Sequence, residues 1–505
     1  MRAALLVLSV TLAVSASAEI RFPRPNVVPE PVRLDFTSNA VCRLDDAATV
    51  TVRGADAAAA DWVKAKCREF LHVSPAVGHV SAGRAEPLAE GAYRLRAEGP
   101  SFTIDADSAS GVRHAFYTLR MCLMAERGVR EAKAWICPAL DVEDAPRHAF
   151  RGLHVCWMPE TSVWTVERQI RMAAYLKFNY VLIEFWGTYD SERYPWFGWP
   201  DVKVPRSEIS RLVRLGRDLG VTLVPDLNAF GHASMARRGG GKHATLDLNP
   251  GLQPLFEPCE GWVWCLTNPE TQKVLRGLID EMYGLFERPG YFHIGCDESD
   301  EPTCPVCAAT DWPVTVGRHI RGLHDHLASL GAKTLMWQDM LISRKDPRWA
   351  GLTRRYPING RSAEACAKLL AELPRDIVIC DWYYGAPLDG YPTWDYFAGL
   401  GFPVMPTAWN DYAGTLAMGR AAAEKGTWGF LGSFWHHAYN AELYVVFLPT
   451  AEAAWGSADR AGKIPGAPLD FATRWRQVGW DMGLDGRLKS GYSENEIPKH
   501  TVTPW

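Results

Sequence analysis

From residue 150 onward, short apolar runs alternate with longer segments in which apolar residues recur every three or four positions. A short apolar run between turn residues is typical of a buried strand, whereas the longer spacing indicates an amphipathic helix. We predict eight strands, at 153–157, 180–186, 221–225, 291–296, 334–337, 376–382, 402–407 and 429–435. Helical patterns between them complete an α/β alternation that predicts a (β/α)8 TIM barrel. The alternative, a doubly wound open sheet, favours a glycine-rich loop after its first strand, and the sequence has none there.

The residues before this alternation mix β-rich runs with helical ones. We predict strands at 49–53, 93–96 and 101–105, with helices near 58–71 and 111–125. Such a mixture indicates a small α+β domain in front of the barrel. The predicted organisation is therefore an α+β domain at 19–145 with a hinge at 144–147, a catalytic barrel at 146–480 and a C-terminal tail at 481–505.

Residues 1–18 have the pattern of a secretory signal peptide. Arg2 precedes an apolar core, and the small residues from Ala16 to Ala18 form a cleavage site. The most apolar later stretch, 441–455, contains two glutamates and a proline, so no membrane span is predicted. We expect a secreted or periplasmic protein.

Charge narrows the range of partners. The 54 Lys and Arg residues nearly balance the 58 Asp and Glu residues, which gives a net charge of −4. Because there is no basic excess and no polybasic run, neither nucleic acid nor an anionic membrane is an expected partner. The sequence leaves the oligomeric state open.

Twelve cysteines are too few for a disulfide scaffold in a chain of 505 residues. Cys304 and Cys307 form one CxxC motif, and Cys259 and Cys265 lie upstream. We rank free or disulfide-bonded thiols first, structural zinc second and a redox motif last, because a single CxxC specifies a metal weakly.

Acidic, histidine and tryptophan side chains gather at the predicted ends of the barrel strands, where active sites of this fold form. These candidate site residues are Glu184, Trp186, Asp226, His232, Asp297, Glu298, Trp337, Asp339, Trp382, Trp409, Asp411, Trp435 and His437. Flat aromatic rings beside acids suit a sugar, which has apolar C–H faces and hydroxyl edges. The 21 tryptophans, more numerous than the tyrosines or the phenylalanines, agree with a glycan substrate.

The fourth predicted strand carries the most specific signal. Alternation along it directs His293 and Asp297 into the barrel, and we expect Gly295 to leave space beneath the site. Phe292, Ile294 and Cys296 then face the helices. Asp297 and Glu298 are adjacent carboxylates in a partly dry site, where pKa values separate so that one group holds a proton while the other stays ionised.

Several segments resemble glycoside hydrolase family 20, the β-N-acetylhexosaminidases. His293-Ile-Gly-Cys-Asp-Glu298 resembles the family's catalytic motif, and Pro225 to His232 resembles its strand-three motif. The runs at 111–120 and 141–152 resemble the small domain and its passage into the barrel. Cysteine in place of the motif's second glycine, followed by a CxxC, is similar to the branch that contains hexosaminidase D.

The resemblance implies a retaining, exo-acting hydrolase in which the 2-acetamido oxygen of the substrate attacks the anomeric carbon. It implies that Glu298 is the general acid and base, that Asp297 orients the acetamido group, and that His232 tunes the acid. Tryptophans are implied to form the walls of the sugar pocket, namely Trp337, Trp382 and Trp435. Neither a cofactor nor an active-site metal is implied, and the two-carboxylate spacing rule does not apply to this mechanism.

Three positions depart from the family pattern. The Arg after strand one is absent from 153–160, Trp409 or Tyr412 replaces the strand-seven Tyr, and the strand-eight acid is missing from 435–437. An inactive carbohydrate-binding barrel is therefore a second hypothesis. A third hypothesis is a metal-dependent hydrolase that uses two histidines and two aspartates, but their spacing matches no metal motif. These residues are His232, His293, Asp226 and Asp297.

Overall fold

The computed structural model describes residues 27–81, 86–126, 133–234, 245–258, 261–299, 301–435 and 440–460. The predicted signal peptide and C-terminal tail lie outside these residues. Within the described part of the chain, a mixed β-sheet with two helices precedes a closed barrel of eight parallel strands surrounded by helices. This architecture confirms the predicted TIM barrel with a small α+β domain in front of it.

The N-terminal sheet has seven strands, in the order β1-β7-β4-β5-β2-β3, with β6 paired to β7. In chain order the strands are β1 (Arg33–Leu44), β2 (Thr49–Gly54), β3 (Ala76–Val80), β4 (Tyr93–Glu98), β5 (Ser101–Ala106), β6 (Met124–Ala125) and β7 (Trp135–Asp144). Strict alternation of buried and exposed residues along β4 shows that one face of the sheet is covered. The helices are α1 (Ala57–Leu71) and α2 (Ala109–Cys122). Asp56 and Ser108 cap their first turns.

The barrel closes in the order β8 to β15, with β15 paired to β8. Its strands are β8 (Phe150–Trp157), β9 (Tyr180–Phe185), β10 (Thr222–Asp226), β11 (Tyr291–His293), β12 (Lys333–Trp337), β13 (Val378–Trp382), β14 (Val404–Ala408) and β15 (Gly429–Phe434). Large side chains such as Phe150, Leu182 and Trp337 fill the interior, so the barrel is a packed core rather than a pore.

Ten helices of the described residues lie around the barrel and in its loops. They are α3 (Val163–Tyr175), α4 (Arg206–Leu219), α5 (Thr245–Leu248), α6 (Pro269–Leu285), α7 (Pro305–Ala308), α8 (Trp312–Ser329), α9 (Ala363–Glu372), α10 (Pro392–Gly399), α11 (Tyr412–Lys425) and α12 (Asn440–Trp455). None of the helices in the described segments combines the length and the apolar character that a membrane crossing needs.

A buried ion pair joins the sheet to the barrel. Asp144, the last residue of β7, accepts hydrogen bonds from Lys177 Nζ at 3.0 Å, Tyr93 Oη at 2.9 Å and Trp455 Nε1 at 2.9 Å. Lys177 precedes β9, and Trp455 ends α12. The segment that the sequence predicted as a hinge is therefore anchored at its first residue. We call Asp144, Lys177, Tyr93 and Trp455 the junction cluster.

Candidate active site

The chain turns sharply where it leaves β11. The strand ends at His293, three residues earlier than predicted, because Gly295, Cys296 and Glu298 have φ values of +65°, +72° and +44°. A β-carbon on Gly295 would lie 2.5 Å from Asn228 Oδ1, so a close approach requires glycine here. This corrects the expectation that Gly295 leaves open space. Positive φ at non-glycine residues is strained and concentrates at functional sites.

His232 lies between the two carboxylates that follow this turn. Its Nε2 atom is 3.3 Å from Asp297 Oδ2 and 3.4 Å from Glu298 Oε2. The Asp297 side chain is 7% exposed and that of Glu298 is 49% exposed. The His232 ring packs on Trp262 at 4.3 Å between centroids, and Trp262 Nε1 donates to the Glu298 carbonyl at 2.8 Å. One acid is thus enclosed and the other reaches solvent, with one imidazole between them.

Asp339 supports this pair from below. It is fully buried, and its Oδ2 atom accepts hydrogen bonds from the Glu298 amide at 2.9 Å and from Asn359 Nδ2 at 2.8 Å. Trp382 Nε1 lies 3.4 Å from Oδ1. Burial, followed by the charge of Asp297, raises the pKa of Asp339 to about 7. The sequence predicted that Asp339 binds substrate. The contacts of Asp339 in the structure fix the backbone of Glu298.

Half-buried aromatic residues form a wall at the same rim. Tyr384 packs against Trp382 at 4.9 Å and against Trp409 at 5.2 Å between ring centroids. Its hydroxyl accepts a hydrogen bond from Trp435 Nε1 at 2.7 Å and lies 2.9 Å from Ser433 Oγ, whose single hydrogen also has the Ala408 carbonyl as an acceptor at 3.0 Å. Burial raises the pKa of Tyr384, so the hydroxyl keeps its proton. A hydroxyl that accepts from an indole N–H can donate its own hydrogen to another acceptor.

Trp337 lies behind this wall rather than in it. Its side chain is fully buried in the barrel interior, with ring centroids 4.4 Å from His293 and 5.7 Å from Trp435. The sequence predicted that Trp337 forms part of the wall of the sugar pocket. The position of Trp337 in β12 directs its side chain into the barrel lumen, where it supports Trp435.

Glu184 is enclosed by donors beneath the rim. His154 Nε2 and Trp186 Nε1 each lie 3.1 Å from its Oε2 atom, Cys156 Sγ lies 3.4 Å from the same atom, and Asn228 Nδ2 donates to Oε1. The side chain is 1% exposed. Its role in this structure is to hold Trp186 at the rim, and the predicted direct contact with substrate is not favoured by this burial.

Asp226 and His293 form a second buried pair. Their Oδ2 and Nδ1 atoms are 3.0 Å apart, and His154 Nε2 lies 3.6 Å from the same oxygen. Burial raises the pKa of Asp226, although the neighbouring His293 opposes the rise. Both residues lie under the site, not on its surface, as their 0–1% exposure shows.

Of the two remaining predicted residues, Asp411 serves as a helix cap. The carboxylate of Asp411 accepts a hydrogen bond from the Gly414 amide at 2.6 Å, so Asp411 caps α11. His437 lies outside the described residues. Tyr412 is the first residue of α11.

Sequence reasoning missed three residues of this neighbourhood, namely Tyr384, His154 and Trp262. His154 lies in a strand that was read for other residues, so a fuller reading of that strand finds it. Tyr384 lies two residues beyond β13 and Trp262 lies in a long loop. No periodic pattern gives the direction of such side chains.

Two groups among the described residues could hold a metal ion: His154 with Cys156 and Glu184, and Glu257 with three cysteines. The four residues of the metal-hydrolase hypothesis do not gather at one point, because His293 pairs with Asp226 while His232 pairs with Asp297. The cysteines in the described part of the chain form no disulfide, and Cys259 lies outside that part.

Comparisons with known proteins identify both parts of the chain. Residues 24–145 match the model "Glycosyl hydrolase family 20, domain 2", and residues 204–384 match "Glycosyl hydrolase family 20, catalytic domain". Together the two matches span more than half of the chain.

Solved structures of the same family have a similar fold. A GH20 exo-β-N-acetylglucosaminidase from Vibrio harveyi, in complex with N-acetylglucosamine, is 18% identical with a TM-score of 0.67, over 91% of this chain and 79% of that chain. A β-N-acetylhexosaminidase from Bacteroides fragilis is 18% identical with a TM-score of 0.62, over 89% and 95%. The Streptomyces plicatus N-acetyl-β-hexosaminidase with thio-NAglucal is 16% identical with a TM-score of 0.63, over 92% and 97%. At these identities the likeness shows the fold.

Proposed function

We propose that this chain, which belongs to glycosyl hydrolase family 20, removes a terminal β-linked N-acetylhexosamine, GlcNAc or GalNAc, from a glycan or glycoconjugate. The family domains make the protein a glycoside hydrolase with a glycan substrate. The proposal adds the sugar, the exo mode and a retaining mechanism that the substrate itself assists.

The arrangement of His232 between Asp297 and Glu298 carries this proposal. Glu298 is half exposed and can reach a glycosidic oxygen, as a proton donor must. Asp297 is nearly buried and lies 3.3 Å from His232, so it is poorly placed to attack a sugar carbon. It is suited to accept the acetamido N–H and to stabilise positive charge in a site of low dielectric constant.

The chemical steps balance without a protein nucleophile. The acetamido carbonyl oxygen attacks the anomeric carbon, the bond from that carbon to the leaving oxygen breaks, and the leaving oxygen takes the proton of Glu298. The Glu298 carboxylate then removes a proton from water, and the water oxygen attacks the same carbon as the cyclic C–O bond breaks. Two displacements at one carbon retain its configuration.

The aromatic wall supports recognition of the sugar. Trp382, Trp409 and Trp435 present ring surfaces at the rim, and the Tyr384 hydroxyl lies among them. We propose that the hydrogen of this hydroxyl points to the acetamido oxygen. Tyr384 then has the role of the family's strand-seven Tyr, for which the sequence offered Trp409 or Tyr412.

Three finer assignments also remain proposals. Cleavage after Ala18 and export to the periplasm or the medium rest on the sequence of residues 1–18. The domain bounds at 145 and 480 rest on the change of sequence pattern there. Membership of the hexosaminidase D-like branch rests on Cys296 and the following CxxC.

Hydrolysis of nitrophenyl β-N-acetylglucosaminide and β-N-acetylgalactosaminide tests the function, with and without a chelator. We expect release of nitrophenol from at least one of them. On an alkyl glycoside, Glu298→Gln is expected to lower the rate by about 10²–10⁴-fold, because the leaving oxygen loses its proton donor. Glu208→Gln, on the outer helix α4, is the matched control and should keep the wild-type rate.

The same experiment separates the alternatives. Tight binding of N-acetylglucosamine without hydrolysis of either substrate would identify an inactive carbohydrate-binding barrel. The absence of the family's sugar-gripping Arg from residues 153–160 is the observation that favours that outcome. Wild-type turnover of the alkyl glycoside by the Glu298→Gln protein would remove Glu298 from the mechanism.

A further inference from the structure

Three cysteines and one glutamate meet beside the active site. Glu257 and Cys265 lie in the long loop after β10, whereas Cys304 and Cys307 lie at the start of α7, in the loop after β11. One ligand atom from each of the four residues lies within 4.8 Å of the others. Three of these residues are buried and Cys304 is partly exposed. We call these residues the cysteine cluster.

The distances between sulfur atoms in this cluster match a metal site better than a disulfide. Cys265 Sγ is 3.7 Å from Cys307 Sγ and 3.9 Å from Cys304 Sγ. In a tetrahedron with Zn–S bonds of about 2.3 Å, two sulfur atoms are about 3.8 Å apart. Sulfur atoms joined in a disulfide are about 2.05 Å apart.

Glu257 supplies the fourth corner. Its side chain is fully buried, and Oε2 accepts hydrogen bonds from the amides of Thr303 at 2.8 Å and Cys304 at 2.7 Å. Among the described residues, Oε1 has no hydrogen-bond partner. A buried carboxylate with one oxygen fixed by amides and the other unpaired is costly unless a cation is present. Ligating carboxylates have this outer support.

We propose that Glu257, Cys265, Cys304 and Cys307 bind one Zn²⁺ ion in a closed structural site. Binding replaces the thiol protons, which pass to solvent, and leaves the oxidation state of sulfur and zinc unchanged. The Cys307 amide donates a hydrogen bond to Cys304 Sγ at 3.2 Å, and the Thr267 hydroxyl, which can donate to a thiolate, lies 3.1 Å from Cys307 Sγ. Such contacts stabilise thiolate ligands.

The ion ties together the two loops that support the catalytic acid. Trp262, three residues before Cys265, donates to the Glu298 carbonyl and packs on His232. Cys304 lies six residues after Glu298. Zinc at this position does not touch substrate. It holds the backbone around Glu298 in place, as a positioning element.

Zinc content and cobalt absorption of the full-length protein test this assignment. After equilibration with zinc and removal of the excess, we expect about one zinc ion per chain. Replacement by Co²⁺ should give thiolate-to-cobalt charge-transfer absorption. Cys265→Ser or Cys307→Ser should abolish that absorption, whereas Cys366→Ser, at a buried thiol outside the cluster, should leave it unchanged.

Glu257→Gln keeps all three sulfur atoms. This variant tests the site if a cysteine variant fails to fold. It is expected to lower zinc affinity by at least about 10-fold, because the anionic ligand and its outer support are both altered. Removal of zinc from the wild-type protein should speed hydrogen exchange in residues 261–268 and 301–308.

Three results would overturn the site: no zinc above the buffer level, unchanged zinc affinity in Glu257→Gln, or a mass lower by the two hydrogens lost when Cys265 forms a disulfide with Cys304 or Cys307. None of these measurements uses hydrolysis, so they are independent of the proposed function.

Discussion

Two acidic centres of this molecule have opposite electrostatic surroundings. In the junction cluster, near the N-terminal ends of the barrel strands, Asp144 faces the ammonium group of Lys177 at 3.0 Å and two further donors. At the C-terminal ends, Asp297 and Glu298 share one histidine and lie beside a third acid, Asp339.

The ionisation of the groups shows the same contrast. Burial lowers the pKa of Lys177, but Asp144 opposes this shift because the two charges attract each other. At the active site, burial and the charge of Asp297 both raise the pKa of Asp339 to about 7. Opposite charges at the junction offset each other's burial, whereas the like charges at the rim keep a proton on Asp339 up to about neutral pH.

The largest expected effect comes from breaking the junction. Lys177→Met keeps the length of the side chain but leaves the Asp144 charge buried without a cation, which costs about 3–5 kcal/mol of unfolding free energy. The rate of the folded protein should stay at the wild-type level. Denaturant unfolding followed by an activity assay at low temperature measures both quantities.

The double variant Asp144→Asn with Lys177→Met provides the control. Since it removes both charges, it should recover part of the lost stability. If the hydrolysis rate of the folded Lys177→Met protein falls together with its stability, the junction cluster and the active site are not independent.

A smaller effect is expected from Tyr384→Phe at the rim. It leaves the Trp435 indole N–H without its acceptor, which costs about 1–3 kcal/mol. We expect this loss chiefly in the affinity for N-acetylglucosamine, because the hydroxyl is placed to meet the ligand. Calorimetric titration measures the loss of affinity, and thermal unfolding measures the loss of stability. Unchanged affinity with a lower melting temperature would make Tyr384 a packing residue.

The smallest effect concerns pH. Asp339 has a pKa near 7 in the folded protein and about 3.9 when unfolded, so the folded state binds the extra proton between these values. Its contribution to stability is complete below pH 4 and is lost as the pH rises through 7. Between pH 6 and pH 7, the free energy of unfolding of the wild-type protein should fall by about 1 kcal/mol more than that of Asp339→Asn. Parallel stability curves would show that Asp339 is ionised throughout.

The sequence predicted the barrel because its strands are short runs buried on both faces. β9, for example, is a continuous apolar run apart from Glu184. β1 was missed since most of its residues are exposed and its pairing with β7 has two register shifts, so it has no regular alternation. Helix α10, between β13 and β14, was also missed.

The sequence located the rim but not the direction of every side chain there. Asp297 and Glu298 were found because a specific motif follows a buried strand. Trp337 was assigned to the rim, although its side chain points into the lumen. Contacts between residues far apart in the chain, such as Asp144 with Lys177 or Cys265 with Cys307, depend on the folded topology and leave no local pattern.

The central claim is that the substrate, not the protein, supplies the nucleophile beside Asp297 and Glu298. The most direct test compares nitrophenyl glycosides that carry either a 2-acetamido or a 2-hydroxy group, while proton NMR follows the anomer that forms first. We predict hydrolysis of the 2-acetamido substrate with retention of configuration and essentially no turnover of the 2-hydroxy substrate. Inversion, or similar rates on both substrates, would contradict the account, because a protein carboxylate or an activated water would then be the attacking group.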